Sequence, residues 1–261
     1  MLIRARKIKS GRASGKAVVS SCPMSFLGGI DTVSGKILDD ESESKGLSIT
    51  DKVFCFPFGK GSTVGSYAMY QLKLNGAAPA GIVNGSAEPI IATGAIIADI
   101  PMVDGIDVSL LRTGDDLVMD ADKGTLELLN VAEKEVVTSI VRHRQKILLL
   151  QRSGRVGSYR GQWAGVSGFI EPGEDDESAA RRELEEEIGV SRLRLVKRLD
   201  PIRFRDSEVV WSVHAFLFDI DAPDIKIDWE HQRTEWILPR DVAGYPTVPG
   251  LQQVVFKLLE C

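Results

Sequence analysis

Glutamates at 183, 186 and 187 carry the clearest chemical signal in the chain. On a helix, residues i, i+3 and i+4 share one face, so Glu183, Glu186 and Glu187 project together. Like charges placed that way destabilise a helix unless a cation neutralises them. Hard oxygen donors in that number suit Mg2+ or Mn2+, which also bind diphosphate oxygens. Ala179, Ala180, Leu184 and Ile188 supply an apolar face for the same helix, and Gly189 can end it in a left-handed conformation. A merely solvated acidic face would account for the glutamates, but not for the flanking glycines, the arginine at 182 and their intervals.

A second constellation is GKGST at 59–63, between the apolar run VFCFPF (53–58) and the segment ending at Asn75-Gly76. The segment's apolar residues predict a helix starting near Ser62 and stopping at Asn75-Gly76. A glycine-rich turn between a strand and a helix N-terminus puts backbone N–H groups where an anion can be held. Gly59, Gly61 and Gly65 would let the backbone approach a substrate. On local sequence alone, an ordinary N-cap is the favoured reading of Ser62 or Thr63. The order of residues does not meet the Walker pattern.

The elements that must position these groups change character near residue 130. Before it, short apolar runs such as VFCFPF, GIVNG (81–85) and PIIATGAIIADIPMV (89–103) read as buried strands alternating with turns. After it, KEVVTSIVRHRQKILLLQRS reads as two strands around a polar turn at 142–146. A helix over 174–189, strands over 193–199 and 208–219, and a final helix over 249–260 complete the pattern. Two domains are expected, 1–130 and 135–261, and the junction LLNVAEKEVV (128–137) has no Gly/Ser-rich linker.

Composition narrows the function classes. A net charge of -5 argues against a general nucleic-acid binder. No apolar run approaches the ~20 residues needed to span a bilayer, and the basic N-terminus lacks an apolar stretch behind it, so the cytoplasm is the expected location. Cys22, Cys55 and Cys261 are scattered, which supports neither a disulfide framework nor an iron–sulfur site within the chain.

Residues 168–190, GFIEPGEDDESAARRELEEEIGV, resemble the Nudix signature G-x5-E-x7-R-E-U-x-E-E-x-G-U, U being aliphatic. Gly168, Glu174, Arg182, Glu183, Leu184, Glu186, Glu187, Gly189 and Val190 fill its constrained positions. The resemblance implies an α/β/α Nudix fold with a mixed sheet, and Mg2+- or Mn2+-dependent hydrolysis of a diphosphate. It implies metal ligation by Glu183, Glu186, Glu187 and the carbonyl of Gly168, and pairing of Glu174 with Arg182. Glu186 or Glu187 could orient or deprotonate the attacking water; some relatives use a downstream acid instead, for which Glu208, Glu230 and Glu235 are candidates. The extended signature of NADH pyrophosphatases is absent, and Phe204 and Arg205 stand where many ADP-ribose hydrolases have proline. Trp163, Trp211, Trp229 and Trp236 are candidates to stack on a base, although buried strand aromatics is the more common role.

GGID (28–31), FPFGKGSTVGSY (56–67), NGAAPAGIVN (75–84), AEPIIATGAIIADIPMVD (87–104) and RTGDDLVMDADKGTLEL (112–128) resemble the small, swivelling subunit of the aconitase X family, most closely its archaeal type, the phosphomevalonate dehydratase small subunit. The resemblance implies a β/β/α swivel domain that closes over a large subunit. It implies that Ser62 is the catalytic base, with Gly59, Lys60, Gly61 and Thr63 around the substrate. Such hydro-lyases use an iron–sulfur cluster, which the scattered cysteines assign to a separate large subunit. Many relatives carry a His-Pro step shortly after the GGID segment, where this chain reads DDESESKG (39–46). The combined expectation is a bifunctional fusion, dehydrating mevalonate 5-phosphate in the archaeal isoprenoid route and hydrolysing a diphosphate, with a prenyl diphosphate suggested by the fusion. Rival expectations are a dehydratase for another hydroxy acid and a Nudix domain that only senses a ligand.

Overall fold

The computed structural model describes residues 1–222 and 224–260, and the chain divides into two units, Met1–Ala132 and Glu133–Cys261. The first unit runs β1 (Leu2–Arg4), β2 (Arg6–Lys9), β3 (Arg12–Val19), β4 (Val53–Phe56), α1 (Gly65–Leu74), β5 (Gly81–Asn84), α2 (Pro89–Ile97), β6 (Met102–Asp104), β7 (Asp116–Asp120) and β8 (Thr125–Leu128). Its strands lie in the order β1-β8-β7-β3-β4-β5-β6-β2. Strand β3 joins two kinds of sheet. Arg12–Lys16 pair antiparallel with β7, whereas Ala17–Val19 pair parallel with β4. Strands β4 and β5 are buried at every position, as parallel strands covered by helices are. The core against them combines Phe26, Phe54 and Phe56 with Met69 and Leu72 of α1 and Ile91 and Ala95 of α2. The helices approach closely at Gly94, where a Cβ would overlap the sulfur of Met69.

Two expectations for this unit are corrected. The run at 89–103 is not a strand throughout: Pro89–Ile97 is a helix, and only Met102–Asp104 is extended. Pro89 sits at the first turn, where its missing N–H costs nothing, and the Glu88 carboxylate accepts the Ile91 N–H at 3.1 Å. Helix α1 begins at Gly65 and not near Ser62, and its N-cap residue Val64 makes no side-chain cap.

The second unit runs β9 (Ala132–His143), β10 (Lys146–Arg152), β11 (Trp163–Ala164), β12 (Val166–Phe169), α3 (Asp176–Ile188), β13 (Arg194–Arg198), β14 (Ile202–Asp206), β15 (Val209–Asp219), β16 (His231–Ile237) and α4 (Leu251–Leu259). Its mixed sheet follows β11-β10-β9-β15-β13, with β12 on β9, β14 on β15 and β16 on β10. Alternation along β10 sends side chains to both faces. Leu148 and Leu150 pack with Ala179, Ala180 and Leu184 of α3, while Ile147 and Leu149 pack with Val254, Val255 and Leu258 of α4. The sheet is thus sandwiched between α3 and α4, the α/β/α layering expected. Among the described residues no helix is long and apolar enough to cross a membrane.

Candidate functional site

In the second unit the glutamates sit on α3. Asp175 caps the helix, accepting the Ser178 N–H at 3.0 Å and its hydroxyl at 2.6 Å, and Gly189 ends it with φ of 68°. Ala179, Ala180, Leu184 and Ile188 anchor the helix to the sheet, and Glu187 lies on the same buried side, 4% exposed. Strand β12 brings Gly168 against the helix so closely that a Cβ there would overlap the Glu183 carboxylate.

Arg182 ties the preceding loop to this helix. Its Nε and Nη2 donate to the two Glu174 oxygens at 3.1 and 3.0 Å, and Nη2 also donates to the Phe169 carbonyl at 3.0 Å. The guanidinium holds the Glu174 carboxyl below the usual range. Its Nη1 reaches Glu183 at 2.7 Å and Glu186 at 3.3 Å. Among the described residues no three His, Cys, Asp or Glu side chains form a ready metal cluster, since Glu183 and Glu186 are turned to this arginine.

Glu187 has the most unusual environment. One oxygen accepts the Ser167 N–H at 3.3 Å; the other is buried with no hydrogen-bond partner among the described residues. Burial, then the charges of Glu183, Glu230 and Asp228, push its carboxyl well above the usual range. Burial also raises Glu183, despite Arg182. A buried oxygen without a donor, in a field of carboxylates, is the environment that a bound cation relieves, so this donor set fits a hard divalent ion.

The downstream acids are separated by the fold. Glu230 acts electrostatically on both Glu183 and Glu187. Glu208 pairs with Arg205 at 3.3 Å, and Glu235 accepts from Tyr245 at 2.7 Å and Arg233 at 2.9 Å. Sequence reasoning passed over His231, whose Nε2 lies 3.5 Å from Glu187 Oε2 and whose Nδ1 is 3.1 Å from Asp228. The Asp-x-x-His spacing at 228–231 was its sole signal.

Of the tryptophans, Trp211 lines a pocket that also includes Ser167, Gly168 and Phe169. Its ring lies 6.1 Å from Phe169, and the Lys134 ammonium stands 5.5 Å from its centroid. Trp163 is buried edge-on against Tyr245, Trp236 packs edge-on against His143, and Trp229 is exposed.

In the first unit the 59–63 loop is held from both sides. The Gly59 N–H donates to Glu88 at 3.3 Å, and a Cβ at Gly59 would overlap that carboxylate and Ile91. The Lys60 N–H donates to the Met24 carbonyl at 2.9 Å, and Gly61 has φ of 107°. Ser62 is exposed, its Oγ accepting the Val64 N–H at 3.4 Å. The N–H groups of Gly65, Ser66 and Tyr67 are taken by the carbonyls of Ser62, Thr63 and Val64. The open amides are therefore not at the helix end: those of Gly61, Ser62 and Thr63 have no partner among the described residues. Lys60 donates to Glu41 at 2.7 Å and lies 3.1 Å from Asp39, so the DDESESKG stretch contacts this loop directly.

Comparison with known proteins bears on both units. Residues 2–128 match the aconitase X swivel domain, and residues 133–258 match the NUDIX domain. The phosphomevalonate dehydratase small subunit of Thermococcus kodakarensis is 54% identical over 133 residues, covering 51% of this chain and 100% of that protein. The chain belongs to the aconitase X swivel family. The crystal structure of Thermococcus kodakaraensis aconitase X in its holo-form is 54% identical with a TM-score of 0.49, covering 49% of this chain and 98% of that one. For the Nudix unit, the MutT protein of Methanosarcina mazei Go1 is 26% identical with a TM-score of 0.42, covering 49% and 94%. Both halves thus fall in enzyme families, and a dehydratase small subunit implies a large-subunit partner.

Proposed function

We propose that the chain joins the small subunit of a phosphomevalonate dehydratase to a Mg2+- or Mn2+-dependent Nudix diphosphate hydrolase. The observation that carries the hydrolase reading is Glu187, buried with an unpartnered oxygen in the field of Glu183, Glu230 and Asp228. Glu183, Glu186, Glu187 and the Gly168 carbonyl are the groups that would hold the ion, with Glu230 beside them. When bound, the ion neutralises diphosphate oxygens and lowers the pKa of an attacking water. Glu186, 60% exposed, is the residue proposed to orient that water and accept its proton. Arg182 and Glu174 hold the loop that carries the Gly168 strand end against the helix. Hydrolysis of a diphosphate panel by the full chain tests this reading: Glu186→Gln should abolish turnover. Ligand binding without turnover in the unaltered protein would instead make the unit a sensor.

For the first unit, the proposed reaction is dehydration of mevalonate 5-phosphate to anhydromevalonate phosphate with a large subunit carrying the iron–sulfur cluster. Ser62 is the proposed base. The open amides of Gly61, Ser62 and Thr63 favour an alkoxide and a neighbouring anionic group, and Lys60 adds positive charge. Gly59 lets the loop lie against Glu88, which fixes its position. Co-purification of a brown large subunit with this chain, followed by assay of mevalonate 5-phosphate against other hydroxy acids, tests the assignment and its substrate together.

A further inference from the structure

The pocket beside Gly168 bears on what is attached to the diphosphate. Its walls are Val136, Ile202 and Phe204 with Val213, Leu251 and Val254, and Phe169 and Trp211 stand at the same pocket as Ser167 and Gly168. A diphosphate at the α3 glutamates would therefore direct its substituent into this space. No Asn, Gln, Asp, Glu, His or Lys is among the described residues that line it.

Three of the polar side chains that line it are already engaged. Tyr159 donates its hydroxyl to Asp206 at 2.5 Å, and the Thr138 and Ser167 hydroxyls bond each other at 3.1 Å. Arg152, the single charged lining residue, donates its Nε to the Ser158 carbonyl at 3.1 Å, which leaves its two terminal nitrogens as the donors at this pocket. A nucleobase brings several donors and acceptors on its edge, and burying them without partners is unfavourable. A hydrocarbon has none to lose.

We infer that the Nudix pocket takes the hydrocarbon group of an alkyl or alkenyl diphosphate and disfavours nucleoside diphosphates, an inference that rests on the hydrolase reading above. In the reaction the oxygen of water bonds to the terminal phosphorus and the bridging P–O bond breaks. Inorganic phosphate and the alkyl monophosphate leave, with one proton released.

The test uses the full chain with Mg2+ and compares isopentenyl and geranyl diphosphates with ADP and ADP-ribose. The expected result is kcat/KM at least tenfold higher for the alkyl substrates, since each buried methylene is worth about fourfold. Val213→Asn should raise KM for isopentenyl diphosphate about tenfold with kcat nearly unchanged and the affinity for Mn2+ unaltered. Preferred turnover of ADP or ADP-ribose overturns the pocket assignment and leaves the hydrolase reading standing. Absence of any turnover overturns the hydrolase reading. Calorimetry with a methylene-bridged isopentenyl analogue and methylene-ADP then decides the pocket separately: tighter binding of the alkyl analogue supports it, and tighter binding of the nucleotide sinks it.

Discussion

Glu187 Oε2 and His231 Nε2 face each other at 3.5 Å, both buried, and neither has a hydrogen-bond partner among the described residues. A carboxylate only accepts, so the 3.1 Å contact with Asp228 places the imidazole proton on Nδ1 and leaves a lone pair on Nε2. Burial lowers the histidine pKa, which keeps the ring neutral. Burial pushes the Glu187 carboxyl up toward its protonated form, which can donate to that lone pair, and Asp228 is itself bonded through its N–H to the Glu187 carbonyl at 3.1 Å. A cation that displaces this proton would leave two acceptors facing at 3.5 Å, which favours turning the Glu187 carboxylate from His231 toward the ion. His231→Ala should therefore weaken Mn2+ binding about tenfold to a hundredfold, the range found for outer partners of metal ligands. Calorimetric titration with Mn2+ reads this directly; an unchanged affinity would show that His231 only fills space.

The same burial makes stability depend on pH in a defined direction. Glu187 and Glu183 have raised carboxyl pKa values in the folded protein. A raised value means the folded state binds the proton more tightly than the unfolded chain. The resulting stability is full below the ordinary carboxyl range and is lost as pH rises through the raised folded values. In chelator, the unaltered protein should lose Tm relative to Glu187→Gln as pH is raised from 5 to 8. Mg2+ should restore the unaltered protein, and by more at pH 8 than at pH 5. A Mg2+ effect on Tm that is the same at both values would contradict the proposed ligand role.

How much of this was legible beforehand follows from where each signal lives. The α3 glutamates were readable because their spacing maps directly onto one helix face, and the apolar Ala179, Ala180, Leu184 and Ile188 fall on the complementary one. Pro89–Ile97 was misread because its residues are apolar almost throughout, so no helical period separates it from a buried strand; Pro89 and the Glu88 cap were the discriminating signals. The start of α1 moved to Gly65 because the Ser62 and Thr63 carbonyls close a turn first. Glu230 could not be chosen from Glu208 and Glu235 in the sequence, since its nearness to α3 arises from packing of the 228–231 segment and from no local pattern.

Gly168 offers a steric test. A Cβ there would overlap the Glu183 carboxylate, and β12 is fixed in register by its pairing with β9, so the strand cannot retreat freely. Gly168→Ala should displace Glu183, reducing kcat/KM for any hydrolysed diphosphate by about a hundredfold, the scale at which small misplacements act. Tm in chelator should fall modestly, because the Glu183 side chain is mostly buried, 12% exposed, and must leave its seat beside Arg182. Mn2+ affinity equal to that of the unaltered protein would refute the steric account.

Ser62 separates the two activities. Its hydroxyl is exposed and accepts one long hydrogen bond, so Ser62→Ala should leave Tm unchanged. With the large subunit present, dehydration should fall by roughly a hundredfold to ten-thousandfold, the usual contribution of a positioned base. Diphosphate hydrolysis by the same preparation should be unaffected. Retained dehydration would return Ser62 to an ordinary loop residue.

Glu88 links folding to that loop. One carboxylate oxygen accepts the Ile91 N–H at the start of α2, and the other accepts the Gly59 N–H. Removing the cap should cost about 0.5–2 kcal/mol, the range for lost N-caps. Glu88→Gln keeps an acceptor oxygen and should recover most of that stability, because one amide oxygen can still cap α2. The amide nitrogen that replaces the second oxygen cannot accept the Gly59 N–H, so the 59–63 loop should remain loosened in Glu88→Gln. Dehydration should then fall in both variants, while denaturant unfolding shows a clear loss only in Glu88→Ala. If activity tracked stability across the pair, Glu88 would be serving α2 alone, with no separate part in placing Ser62.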